Sequence, residues 1–123
     1  MSQASVEERI RRELPHLSDA DVRELARVLE RLICGLSPER IYLFGSQARG
    51  EAGPDSDFDL LVVVPSSELP NYRLSQEAHG IVGRRQVSLD ILVMPREEFD
   101  SRSRAPSSLP ATVLREGMML YAA

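Results

Sequence analysis

The chain contains no lysine and no tryptophan, one cysteine, two histidines and 5% aromatic residues among its 123 positions. Each shortage excludes something. Cys34 has no second cysteine with which to close an internal disulfide, and with only His16 and His79 beside it a Cys/His zinc site cannot be assembled. Any metal is therefore expected to be a hard ion held by oxygen. All 15 cationic side chains are arginines, so no lysine nucleophile is available. No apolar run approaches the ~18 residues of a membrane-spanning helix, and one such as residues 60–64 has the length of a strand. The start, MSQASVEERIRREL, is charged and amphipathic and lacks the apolar stretch of a secretory signal, so the expected compartment is the cytoplasm. With 19 acids against 15 bases and a net charge of -4, there is no broad basic field for a nucleic acid to follow. A small anion suits this chain better than a polymeric one.

Hydrophobic content of 42% and charged content of 28% are those of a globular domain, and the length suits one domain over 1–123. Val6, Ile10 and Leu14 recur every four residues until Pro15 stops a first helix. Ser18 is a good N-cap, with Asp19 and Asp21 in the first turn behind it. Val22, Leu25, Ala26, Leu29, Leu32, Ile33 and Leu36 then follow the helical template, with Gly35 expected near the C-cap and Cys34 expected to pack as a small hydrophobe. These helices occupy 1–36, and the core of the domain is expected over 40–123.

Residues 40–44 (RIYLF) predict a strand, with Tyr42 half-buried, and a short helix is expected from Gln47. Residues 51–56 (EAGPDS) read as a loop, and 57–64 (DFDLLVVV) as a central strand buried on both faces. Leu74, Ala78, Ile81 and Val82 predict a helix ending at Gly83, and 86–94 a third strand. Residues 101–108 (SRSRAPSS) are expected to be a polar, mobile stretch before a short helix over 109–116 and a last strand over 118–121. The order α-α-β-α-β-α-β-α-β places the chain in the α/β (α+β) class, a small mixed sheet of about four strands flanked by helices.

Three features of this pattern carry chemistry. Gly45-Ser46 joins a strand to a helix: glycine lets the backbone turn tightly beside a ligand, and the helix-start N–H groups and the Ser46 hydroxyl can donate to phosphate oxygens. Asp57-Phe58-Asp59 opens the next strand, and alternation sends both aspartates to one face, about 6–7 Å apart along the chain. Such a pair suits hard divalent cations; without one, like charges at ~6 Å repel by about 2–3 kcal/mol at an effective dielectric near 20. Salt bridges from Arg49 or Arg40, or plain solvation at a loop edge, are the alternatives. Asp90 interrupts an apolar strand (VSLDILV) and needs an arginine, several donors or a metal. Together the residues ask for Mg²⁺ and a polyphosphate. Gly45 and Ser46 would hold phosphates, Asp57 and Asp59 two Mg²⁺ ions, and Asp90 would complete the shell at an incoming hydroxyl, acting as its base. Arg84, Arg85, Arg102 and Arg104 read as solvated charge, and His79 as an ordinary surface or packing residue.

Gly45-Ser46, ten residues, then Asp57-Phe58-Asp59-Leu60, with Arg49-Gly50 between and Leu89-Asp90-Ile91 downstream, resembles the minimal nucleotidyltransferases of the DNA polymerase beta-like superfamily. The closing run 115–121 (REGMMLY) is similar to the family's C-terminal run. The resemblance covers residue 40 to the end and implies the nucleotidyltransferase fold, a metal triad of Asp57, Asp59 and Asp90, nucleotide-phosphate contacts from Gly45 and Ser46, and ATP as substrate. Arg49 would contact phosphate or brace the acidic loop, and Gln47 stands where a basic or aromatic residue is frequent. The resemblance further implies an antitoxin whose partner is an HEPN-type RNase toxin, adenylylated on a hydroxyl. The length leaves no room for the helical acceptor-binding domain of larger relatives, so the acceptor surface is expected on a partner. A non-catalytic antitoxin that acts by occlusion and a small-molecule adenylyltransferase are the alternatives; oligomeric state stays open.

Overall fold

Helix α2 organises the molecule. In the computed structural model, which describes residues 3–50 and 57–123, it runs over Asp19–Leu36. The Ser18 hydroxyl accepts from the Asp21 N–H at 3.2 Å, satisfying one of the donors left free at a helix start. Its apolar stripe (Val22, Leu25, Ala26, Val28, Leu29, Leu32) is fully buried. Helix α1 (Gln3–Glu13) lays Val6 and Ile10 against that stripe, with Leu14 following.

The remaining elements are β1 (Arg40–Phe44), α3 (Ser46–Arg49), β2 (Phe58–Val64), α4 (Asn71–Val82), β3 (Leu89–Pro95), α5 (Arg96–Arg102), α6 (Leu109–Glu116) and β4 (Met118–Ala122). Among the described residues the strands form one mixed sheet in the order β3-β2-β1-β4. Strand β1 is antiparallel to β2 and β4, whereas β2 and β3 are parallel, and α4 provides the crossover that parallel strands need. One face of the sheet, through Ile41, Leu43, Leu60, Val62, Ile91, Val93 and Leu120, packs on α1, α2 and α4. The other, through Tyr42, Leu61, Val63 and Met94, packs on Phe99 of α5 and Val113 of α6. Tyr42, expected half-buried, is buried and stacks on Phe99 with ring centroids 5.5 Å apart. Strand β3 is an edge, and its outward Val93 N–H is taken by the Ser75 hydroxyl of α4 at 3.3 Å. No helix among the described residues is long and apolar enough to cross a membrane.

Three expectations are corrected, and that for Gly35 holds. It stands near the C-cap, which is Ser37, in the left-handed region at φ 47° with its N–H bonded to the Ile33 carbonyl at 3.1 Å. Gly35 lies against α4, where an added Cβ would stand 2.8 Å from Ile81 Cδ1. Cys34 is exposed, because it falls on the side of α2 turned away from Leu32 and the core. The third strand begins at Leu89 rather than at residue 86 and runs directly into α5, a helix the polar sequence hides. The stretch 101–108 is held by hydrogen bonds rather than loose. Ser103 Oγ donates to the Asp100 carbonyl (2.7 Å), Ser108 Oγ to the Arg102 carbonyl (2.6 Å) and Arg115 to the Pro106 carbonyl (3.0 Å). The expected loop over 51–56 lies outside the described residues.

Ser108 also N-caps α6 by accepting from the Ala111 N–H at 3.2 Å. Replacing it with alanine removes both bonds. Ser108→Ala is expected to lower unfolding stability by about 1–2 kcal/mol, read as a shift in urea midpoint without a change in slope.

Candidate active site

The register of the two parallel strands decides where the acids stand. Asp59 pairs directly with Asp90, as Phe58 does with Leu89 and Leu61 with Leu92. Side chains at paired positions point to the same face, so Asp59 and Asp90 share the α5–α6 side of the sheet with Leu61 and Met94. They sit nearer the strand starts than the buried cluster, where the helical layer no longer covers the sheet. Asp59 is half-buried and Asp90 exposed. Asp57, just before β2 and exposed, has the same parity as Asp59. The Phe58 N–H donates to the Ser88 carbonyl at 2.9 Å, which carries the ladder back to the acids.

Gly45 closes the site from the other side. It holds φ +79°, a conformation that side chains disfavour, and a Cβ built there would run into the Asp59 carboxylate. The Gly45-Ser46 bend is therefore packed against Asp59. In α3, Gln47 is buried, with its Oε1 3.4 Å from His16 Nε2, and Arg49 is exposed in the last turn. Arg40, one alternative partner for the aspartates, is engaged elsewhere. It lies over the Phe99 ring (4.9 Å to the centroid) and reaches Asp100 at 3.4 Å.

Electrostatics agree with this geometry. Partial burial, then the charges of Asp90 and Asp57, raise the Asp59 pKa above its ordinary 3.8. All three carboxylates thus share one field. Among the described residues no three His, Cys, Asp or Glu side chains form a ready metal cage. As a donor set, carboxylates beside a hydroxyl fit a hard divalent ion and suit no soft one.

Two features escaped the sequence reading. His79 on α4 lies near enough to Asp90 to feel its charge. Its pKa is lowered by burial and by Arg85, against the opposing pull of Asp90. Arg85 Nη1 stands 2.9 Å from His79 Nδ1, and since a guanidinium only donates, that nitrogen accepts and the ring is neutral. Glu24 on α2 is the second, a carboxylate only 8% exposed. A cavity of about 390 Å³ between Pro65, Ser67, Pro95 and Glu98 opens at the opposite end of β2 and β3 and touches none of these groups.

The pattern of the nucleotidyltransferase domain family matches residues 22–114. The chain belongs to this family. It is 39% identical over 57 residues to a Methanocaldococcus jannaschii protein provisionally named a protein adenylyltransferase. That match takes in 46% of this chain and 56% of the relative, little more than half of its length. A structure provisionally named a nucleotidyltransferase from Sulfolobus solfataricus superposes with a TM-score of 0.58 at 22% identity, covering 96% of this chain and 87% of that one. A toxin–antitoxin structure with AMP-PNP superposes at 0.50 and 20% identity, covering 79% of this chain and 72% of that one. These two likenesses establish the nucleotidyltransferase fold expected from the sequence.

The raised pKa has a consequence for stability. Asp59 binds its proton more tightly folded than unfolded, so stability falls as pH rises from 3.8 through the raised value, and the penalty is complete at neutral pH. Without divalent ions, Asp59→Asn is expected to melt at a higher temperature than wild type at neutral pH. The advantage should vanish in acid, as followed by calorimetry across a pH series.

Proposed function

We propose that this nucleotidyltransferase moves AMP from ATP to a hydroxyl on a protein partner, a toxin of the HEPN type, with Mg²⁺ as cofactor. The observation that carries the reading is the in-register pair Asp59–Asp90 on an open sheet face, with the Gly45-Ser46 bend against it. The name of the Methanocaldococcus relative and the toxin–antitoxin neighbour solved with AMP-PNP lend it support.

Asp57, Asp59 and Asp90 would hold the divalent ions, which when bound neutralise triphosphate charge and acidify the acceptor hydroxyl. The chain's own groups do the rest. The N–H groups around Gly45-Ser46 and the Ser46 hydroxyl bind the phosphates and orient them. The acceptor oxygen forms a bond to the α-phosphorus, the bond from that phosphorus to the oxygen bridging to the β-phosphate breaks, and pyrophosphate leaves with the electron pair. Asp90, exposed on the outer strand, takes the hydroxyl proton. Arg49, at the end of α3, would contact the phosphates.

The purified chain, incubated with the co-expressed toxin and MgATP, is expected to add an adenylyl mass to the toxin and release pyrophosphate. Asp57→Asn and Asp59→Asn should each lower that rate by at least about 10²-fold. If these variants neutralise the toxin as well as wild type does, neutralisation is by occlusion and the transferase reading is wrong. Gly45→Ala, which forces a Cβ toward Asp59, is expected to lose at least about 10-fold in rate and about 1–2 kcal/mol in stability, measured by pyrophosphate release and by urea unfolding.

A further inference from the structure

The segment that delivers Asp90 is held from behind by two residues outside the nucleotide site. Glu24 and Arg27 lie one turn apart on α2, with Arg27 Nε and Nη2 donating to the Glu24 carboxylate at 2.7 and 3.1 Å. That carboxylate also accepts the Gln86 N–H at 2.6 Å. The same guanidinium donates to the Val82 carbonyl (3.1 Å) and the Arg84 carbonyl (2.9 Å). Arg31, one turn further, reaches the Ile81 carbonyl at 3.5 Å. Among the described residues, every hydrogen bond of this pair's side chains beyond the pair itself is therefore to the backbone of 82–86, the connection between α4 and β3. Arg27 supplies donors to carbonyls at the end of α4, which have no helical partner. Glu24 supplies the acceptor for an amide that has not yet entered the sheet. Asp90 follows four residues after Gln86, at the start of an edge strand paired on only one side.

We propose that Glu24 and Arg27 are positioning residues for Asp90, fixing the height at which β3 enters the sheet and hence the reach of its carboxylate toward the divalent ion. The inference rests on the reading that Asp90 serves that ion. Burial explains why both charges are needed. Glu24 is desolvated, and the hydrogen bond from Arg27 nonetheless holds its pKa below the usual carboxylate range, so it stays charged and keeps accepting. Lysine at 27 could not reproduce the fork that meets the Glu24 carboxylate and two carbonyls at once. The pair borders a depression of about 470 Å³ shared with Ala20, Arg23 and Gln86. Arg23, exposed on α2, makes no hydrogen bond or ion pair to 82–86 among the described residues, so it serves as the control for loss of positive charge from α2.

The test compares Glu24→Gln, Arg27→Met and Arg23→Met in the full chain, well below each melting temperature. In the first two, amide hydrogen exchange at Gln86 and at 89–91 should quicken at least about 10-fold. The Mg²⁺ concentration for half-maximal turnover should rise about 10-fold or more with a similar fall in kcat, while KM for ATP stays within about 2-fold. Arg23→Met should match wild type in all of these. Faster exchange at Gln86 with unchanged Mg²⁺ dependence and kcat would reduce the pair to a structural brace. Slower turnover without faster exchange would equally overturn the proposal. If the wild-type chain transfers no nucleotide, the functional reading fails, and Mg²⁺ titration followed at the Asp90 amide judges the clamp alone. Weaker Mg²⁺ uptake in the two variants supports it there, whereas equal uptake, or none by wild type, refutes it.

Discussion

Two carboxylates lie side by side because two parallel strands are paired in one particular register. At the ~5 Å spacing of neighbouring strands, two unit charges repel by about 3 kcal/mol at an effective dielectric of 20. A sheet free to choose would slip to separate them. Slippage by one residue, however, would turn Leu60, Val62, Ile91 and Val93 out of the α1–α2–α4 core and push Leu61, Val63 and Met94 off the α5–α6 core. Each buried aliphatic side chain contributes about 1.5–3 kcal/mol, so apolar burial on two faces outweighs the repulsion several times over. The register is set by the core, and the acids are carried into opposition by it.

The same constraint explains why the helices are unequal. Helices α1, α2 and α4 cover one face fully, and α5 with α6 covers only part of the other. Strand β3 would be an exposed edge but for α4, whose Ser75 takes its outward N–H. With the edge occupied along its middle and the 82–86 connection pinned to α2, the start of β3 has little freedom, although Asp90 itself is exposed. An acid that must stay beside another acid needs backbone fixed by something other than its own contacts.

Much of this was legible in the chain. Dense helical periodicity marks α2, and the β-branched runs mark β1 and β2. The alternation in DFD already placed Asp57 and Asp59 on one face. Helix α5 was hidden because Phe99 is the one large apolar residue in REEFDSR, so there is no repeat to detect. Pro95 ended the predicted third strand correctly in kind, yet its fixed φ of -68° also starts α5. Gly35 stands near the C-cap as its position suggests, but the close approach of Ile81, 46 positions away in sequence, could not be read from the chain. Glu24 went unnoticed because an acid within a helical charge pattern reads as a solvated face. Its burial comes with Arg27 and with the backbone at Gln86, a partner 62 positions away. What could not be read was long-range: that β2 and β3 are neighbours, that they pair in register at 59 and 90, and that α2 reaches the turn between α4 and β3.

The arrangement also accounts for the contrast between Gly45 and its surroundings. Beside Gly35 the neighbour is the flexible end of Ile81, which can repack. At Gly45 the neighbour is a half-buried carboxylate whose position is dictated by strand pairing, and the backbone already sits at a positive φ. The carboxylate can swing away, but only by leaving its place in the site, and the glycine backbone cannot shift without disturbing the end of β1. Conformational freedom has been withdrawn where the bend proposed to bind phosphate meets Asp59. Carboxylates and phosphates repel one another as surely as the two aspartates do, so a bend that offers N–H donors beside acids makes physical sense only with positive charge between them. The fold supplies the rigidity to hold the two apart at a fixed distance. A divalent ion would supply the attraction.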